Sequence, residues 1–479
     1  MKPWFTLNLG VRDDDYGHGI TYTGDSDPGC YVFPATGGTF LQNIANGTAK
    51  CVKTVIDHRL WNLDPRFGFA WDVFHNGSMS VRGGYGMFRD RIPQNWFSTL
   101  NLVGPPLIVT PSLTTYQGAT LTYGLGAEAG GGWPKPNVSY TLNAAGGVAG
   151  LPSDIMGIDP NIKSPEIQNW MLAIQKRLRS DLMLEINYTG SADHHLPVQT
   201  DINRYAGDLL TGTLLRPNPN FGQIVYDETV GNSFSNLLSG MVQRQFSKGL
   251  SLRAVYTYGK TLDDFSTTGL PISNIATTPV FDAQNLGLQR GRADFDIRNR
   301  FTYDATWAPP KLSGGWYAPL LNNWRLGTLG IFQSGLPFTV YTTAPYPIGD
   351  YNADGYNYDL PNSPKFGNSL SGLSRNQYLA GIFTASQFPV PVPGHDGDLG
   401  RNTFPEPGLI NVNLRVMRQF HVPWLTHEGA ALQFSADIFN VLNRANLDAV
   451  HNDLSDPLFG RSTDSVGPRS VQLGARLQF

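Results

Sequence analysis

The chain closes on RSVQLGARLQF, residues 469–479, and the reading of this stretch decides the fold. Val471, Leu473, Ala475, Leu477 and Phe479 fall on one face of an extended strand. Ser470, Gln472, Gly474, Arg476 and Gln478 fall on the other. Successive strand side chains point to opposite faces, so the stretch has one apolar and one polar wall. An edge strand of a soluble sandwich alternates in the same way. The aromatic last residue, with no polar tail after it, favours the closing strand of a barrel in lipid.

Composition agrees with a barrel. The 479 residues exceed an ordinary single soluble core but suit a large barrel. Charged residues make up 15%, below the roughly 25% of soluble domains. Gly 53 and Pro 34 signal many turns and loops. The formal net charge of -3 supplies no basic field, so nucleic acid is not an expected partner. No stretch approaches the unbroken apolar run of a membrane helix, a test that a barrel escapes because only alternate residues meet lipid.

Taken in order, the chain opens inside a strand, with Phe5, Leu7, Leu9 and Val11 alternating against Thr6, Asn8, Gly10 and Arg12. No signal-peptide core precedes it, so the export segment is expected upstream. Phe67–Phe74 and Met79–Phe88 read as a hairpin across His75-Asn76-Gly77. Ile167–Leu178 has the composition of an amphipathic helix. The clean alternation of the following LMLEINYTG and the short Arg179-Ser180-Asp181 turn instead predict a second hairpin. FSNLLSGMVQRQF and LSLRAVYTYGKTL give a third, turning at Lys248-Gly249. RNRFTYDATW, WRLGTLGIFQSG, PFTVYT, INVNLRVMRQF and LQFSADIFNVLN supply further strands. Ile202–Leu210 is expected as a short loop helix, and 95–161 as a long functional loop. The expected fold is thus all-β, an antiparallel transmembrane β-barrel of about 14 strands, with short turns alternating with long external loops.

Several residues are candidates for sites. Cys30 and Cys51, an isolated pair in one loop, suit a disulfide in an oxidising compartment; two unpaired thiols are the alternative. DYNADGYNYD, residues 350–359, places Asp350, Asn352, Asp354 and Gly355 as in the first half of a calcium loop. Position twelve, however, is Pro361, and Asp359 falls two residues early, so a solvated Asp- and Asn-rich turn stands beside the calcium reading. Calcium is the single cofactor candidate. His194-His195 would point to opposite faces of a strand, so a turn is expected there. His395-Asp396-Gly397-Asp398 is as weak a metal signal. Arg82, Arg253, Arg300, Asp304, Arg415, Asp437 and Arg476 lie on polar strand faces and would line a lumen. Trp4, Tyr85, Trp170, Tyr256, Trp307 and Trp324 suit interface girdles. No catalytic fingerprint stands in a plausible context, so no enzyme activity is expected.

The motif order resembles the carboxy-terminal barrel of TonB-dependent outer-membrane receptors, most nearly the Oar-like branch. The matching stretches are LNLGVR, DPRFGFAWDVFHNGSMSVRGGYGMFRDR, SPEIQNWMLAIQKRL, LEINYTGSADHHL, DFDIRNRF, GIFQSGLPFTV, LQFSADIFNVLNRANL and LGARLQF. They run from Leu7 to Phe479, so residues 1–479 are expected to be one barrel region. The resemblance implies outer-membrane residence, transport of an unidentified ligand, and three partners: outer-membrane lipid, the barrel-assembly machinery and the TonB complex. The family's plug, TonB-contacting segment and earlier strands are not visible, and about 14 strands fall short of the 22 of such transporters. The expectation is therefore an incomplete barrel, inactive alone. Two other readings stay open: a passive porin-like channel, and a secreted carbohydrate-binding or adhesive β protein.

Overall fold

The structure is a computed structural model. It describes residues 3–14, 29–52, 62–92, 142–147, 149, 152–266, 281–314, 316, 318–366, 370, 372–422 and 430–478. Its main feature is one antiparallel meander, in which each strand pairs with the next in sequence. The path runs β1 (Phe5–Asp13), β2 (Leu63–Asp72), β3 (Met79–Arg89), β4 (Glu166–Arg179), β5 (Leu182–Asp201) and β6 (Phe221–Ser247). It continues through β7 (Leu250–Asp263), β8 (Asn299–Trp307), β9 (Trp324–Gln333), β10 (Leu409–Val422), β11 (Ala430–Phe439) and β12 (Ser470–Gln478).

Among the described residues twelve strands make this path, against the about 14 expected, and PFTVYT accounts for part of the difference. Its Pro337–Phe338 pairs only with Phe404–Pro405, while Phe338 and Val340 are buried among loop residues. Alternation there marks a loop core, not a membrane wall. The closing partner expected for Val471, Leu473, Ala475 and Leu477 is also not seen. Among the described residues β12 pairs with β11 alone, and β1 with β2 alone. Phe479 lies outside the described residues.

Connections alternate in length. At one end lie the turns after β2, β4 and β6. Lys248 and Gly249, between β6 and β7, both have positive φ, 50° and 82°, as a two-residue hairpin turn requires. A side chain on Gly249 would also run into the Ala308 carbonyl, so glycine is required twice over. At the other end lie the longest connections, after β1, β3, β5, β7, β9 and β11. Most of the expected loop at 95–161 lies outside the described residues, but Ser153–Ile158 within it is a strand parallel to the upper end of β6.

β5 and β6 extend well beyond the roughly ten residues that cross a bilayer, and their far ends turn from half-exposed to buried. They carry a crown of loops with two apolar cores. One joins Val32, Ile44, Ile155, Ile202, Phe221 and Ile224. The other gathers Phe338, Tyr378, Phe383, Phe388, Phe404 and Phe459 from the two connections on either side of β10 and β11. Two local expectations are corrected here. Residues 202–210 form turns, not a helix, closed by bonds such as Asp208 N–H to the Tyr205 carbonyl. His194 and His195 sit inside β5 at a register shift, where the positive φ of His195 marks a bulge.

Candidate functional site

The register decides which strand residues share a wall. Arg253 faces Asp304, and Arg300 lies four residues from Asp304 on the same strand. Arg415 faces both Gly327 and Asp437, and Asp437 faces Gln472, four residues from Arg476. In the other direction Arg253 faces Gln243, which faces Met183. Two residues on, Glu185 faces Gln175, which faces Ser80, two residues from Arg82. Since alternate residues share a face, all seven residues expected to line a lumen occupy one wall.

These five arginines and two aspartates are joined partly by charge and partly by hydrogen bonds to neutral side chains. Arg415 Nε lies 3.4 Å from Asp437 Oδ1. Arg82 instead donates to Ser80 Oγ at 3.1 Å and to Gln175 Oε1 at 3.3 Å. Arg300 faces Thr257 and Gln333, and Arg476 faces Gln433. Asp304, Thr306, Asn413, Arg415 and Asp437 border a recess of about 220 Å³. Such a wall offers donors and acceptors to a polar solute.

The opposite wall is apolar and uncovered. Leu9, Val11, Ile186, Leu238, Tyr258, Val471 and Leu473 are all exposed, and Leu473 reaches 78%. A soluble protein rarely leaves so extended an apolar surface open to water, whereas lipid covers it at no cost. No helix among the described residues is long and apolar enough to cross a membrane. Of the girdle candidates, Tyr85 faces Trp170 and Trp324 faces Arg418, while Trp4 stacks on His75 beside the β2–β3 turn with centroids 4.5 Å apart.

Above the walls, buried polar knots tie the crown together. Arg401 donates Nε to the Gln289 carbonyl at 2.7 Å and Nη2 to the Asp263 carbonyl at 2.8 Å, and it pairs with the Asp263 carboxylate. Asn218 donates to the Ile44 and Gly47 carbonyls at 3.1 Å each. Arg204 Nη1 lies 2.9 Å from both Asp354 oxygens, both residues being buried, and its guanidinium stacks on Tyr356 at 3.7 Å.

The last knot contains the calcium candidates. Asp350, Asn352, Asp354 and Asp359 are brought together and buried, not solvated. Asp350 accepts from the Asp354 and Gly355 amides at 3.1 and 2.9 Å. Asp359 Oδ1 accepts from the Asn352 amide at 3.1 Å, and Asp354 serves Arg204 and the Tyr356 amide. Internal donors thus hold most of these oxygens, while the buried Asp359 Oδ2 has no hydrogen-bond partner among the described residues. Among the described residues no group of three or more His, Cys, Asp or Glu side chains is placed to hold a metal ion. Burial pushes Asp359 up to about 9, and Asp354 and Asp396 up to about 7, with Arg204 pulling Asp354 the other way. Sequence reasoning missed Arg204 and Arg401 because each bonds partners more than fifty residues away in sequence.

Cys30 and Cys51 stand directly opposite one another where Gly29–Phe33 pairs with Thr48–Val52. Opposed residues of an antiparallel pair have Cα atoms about 4.5–5.5 Å apart, within the range a disulfide spans.

A family model described as an outer membrane beta barrel domain matches residues 1–472. No curated protein sequence matches the chain. Among solved structures the fold is similar to the outer membrane transporter YddB from Escherichia coli, with TM-score 0.46, 11% identity, and coverage of 90% of this chain and 42% of that one. The ferripyoverdine receptor of Pseudomonas aeruginosa has TM-score 0.40 and 10% identity over 90% of this chain and 35% of that one. The siderophore receptor PiuA from Acinetobacter baumannii has TM-score 0.38 and 9% identity, with 90% and 36% covered. The chain spans less than half the length of each of these three structures.

Proposed function

Because the chain belongs to the outer membrane beta barrel domain family, and so resides in the outer membrane, we propose that it forms the wall and loop crown of a TonB-dependent-type transporter. The carrying observation is the two-sided sheet. One wall is apolar and largely uncovered, the other is polar, and the longest connections all rise from one end. Outer-membrane barrels place long loops outside and short turns in the periplasm, with a lipid-facing and a lumen-facing side. The ligand, which this reading leaves unidentified, would meet the crown and then the polar wall around Arg415 and Asp437. Energy would enter through a plug and a TonB-contacting segment supplied from outside these residues. Insertion would use the barrel-assembly machinery. No catalysis and no cofactor enter this reading. The order of the matching motifs supports the Oar-like branch.

A passive channel is the second reading, and strand parity favours it. The path has twelve strands among the described residues, an even number, so β1 runs toward the crown and β12 away from it, and the two are oriented to close an antiparallel barrel directly. The test sets the purified chain in planar bilayers against the chain joined to a plug-bearing segment in cells. Energy-dependent uptake only with the plug supports the transporter. Steady conductance by residues 1–479 alone overturns it in favour of the channel.

A further inference from the structure

The β8–β9 connection departs from the pattern of tight turns at its end of the sheet. It is much longer than Ser180-Asp181 or Lys248-Gly249, yet it is held in place. Asn322 accepts from the Leu312 amide at 2.8 Å and donates to the Leu312 carbonyl at 2.9 Å, pinning its two arms together. Trp324 Nε1 donates to the Leu320 carbonyl at 2.8 Å, which fixes the short helical turn Ala318–Leu321 over the strand end.

These contacts shape a groove of about 570 Å³ between Trp307, Pro309, Leu312, Leu321, Trp324 and Leu326, with no charged residue in its lining. Trp307, Trp324 and Leu326 belong to the apolar wall, so the groove continues the lipid-facing surface. Outside it Trp316 is 83% exposed and Leu320 55%. Ordinary turn residues would be polar in such positions.

A cation stands beside it. Arg418 faces Trp324 in register on the apolar wall, its guanidinium 5.2 Å from the Trp324 ring and 4.4 Å from that of Phe420. The connection adds Lys311, and residues 308–326 contain no Asp or Glu. An arginine flanked by aromatics at the end of a lipid-facing strand matches the boundary between acyl chains and phosphate.

We propose that this groove is a phospholipid-binding site of the periplasmic leaflet: one acyl chain lies between the two tryptophans, and the lipid phosphate meets Arg418. The site rests on the membrane placement of the apolar wall and not on transport, so either can fail without the other.

Native mass spectrometry of the full folded chain, released from detergent with added phosphatidylglycerol, tests the site. One lipid should be retained, at least tenfold more weakly in Arg418→Gln and in Leu312→Ser. Leu312 lies outside the strands, so its variant serves if Arg418→Gln does not fold; folding of each is checked by heat-modifiable migration. Excess inorganic phosphate should not displace the lipid, because the acyl chain supplies much of the contact. The proposal is overturned if no lipid is retained, if folded variants retain it equally, or if phosphate alone displaces it.

Discussion

The indole of Trp170 lies across Gly190 on the neighbouring strand, so close that a Cβ on that glycine would fall well under 3.0 Å from the ring. The same arrangement recurs with Phe69 over Gly83 and Tyr303 over Gly330, all on the apolar wall. An aromatic ring laid over a glycine covers the backbone that glycine exposes and pins the register of the pair. Gly190→Ala should therefore destabilise the folded chain by about 1–3 kcal/mol through overpacking. Gly240→Ala is the control, because a Cβ there meets nothing within 4 Å. Urea titrations in lipid vesicles that show equal midpoints for the two variants would sink this account.

The two walls should respond oppositely to charge. Ile186 is exposed on the apolar wall, near the middle of the roughly ten residues that cross a bilayer. Ile186→Arg should cost about 2–4 kcal/mol of folding free energy in vesicles. Thr189→Arg on the opposite wall should be tolerated. Equal losses in both would mean that the apolar wall does not face lipid.

The carboxyl cluster should make the crown sensitive to pH. Asp359, Asp354 and Asp396 have folded-state values raised above the ordinary 3.8 to about 9, about 7 and about 7. Groups raised in this way bind protons more tightly when folded. Their contribution is complete below pH 3.8 and is lost as pH rises through about 7 and then about 9. Amide exchange at residues 350–359, corrected for intrinsic rates, should show weaker protection at pH 9 than at pH 6. Asp359→Asn, neutral at both, should flatten part of that difference. Protection that instead rises with pH contradicts the assignment.

Cys30 and Cys51 should form a disulfide in the exported protein. Closing a loop of about 20 residues contributes roughly 3 kcal/mol by constraining the unfolded chain. Alkylation without reductant, followed by mass spectrometry, should find neither thiol labelled. Two labelled thiols in folded, exported protein would rule the bridge out.

The sequence by itself determined the walls. Strand side chains alternate with period two whatever the partner strand is, so the split of Val471, Leu473, Ala475 and Leu477 from Gln472, Gly474 and Arg476 needed no tertiary knowledge. The Lys248-Gly249 turn was legible from its residue types, whereas the register of the paired strands put Arg82 and Arg476 on a common wall. The crown was not. Phe221–Thr229 extends β6 where buried polar and apolar residues mix, because its neighbours there are other loops instead of lipid on one side and water on the other. That environment erases the alternation and hid the upper halves of β5 and β6. It also made Val340 resemble a membrane strand residue and Asp350–Asp359 resemble a solvated turn. Only the tertiary structure decided that Arg204 meets Asp354 across 150 residues and that Arg401 meets Asp263 across 138, since such pairs depend on which loops the meander brings to one end.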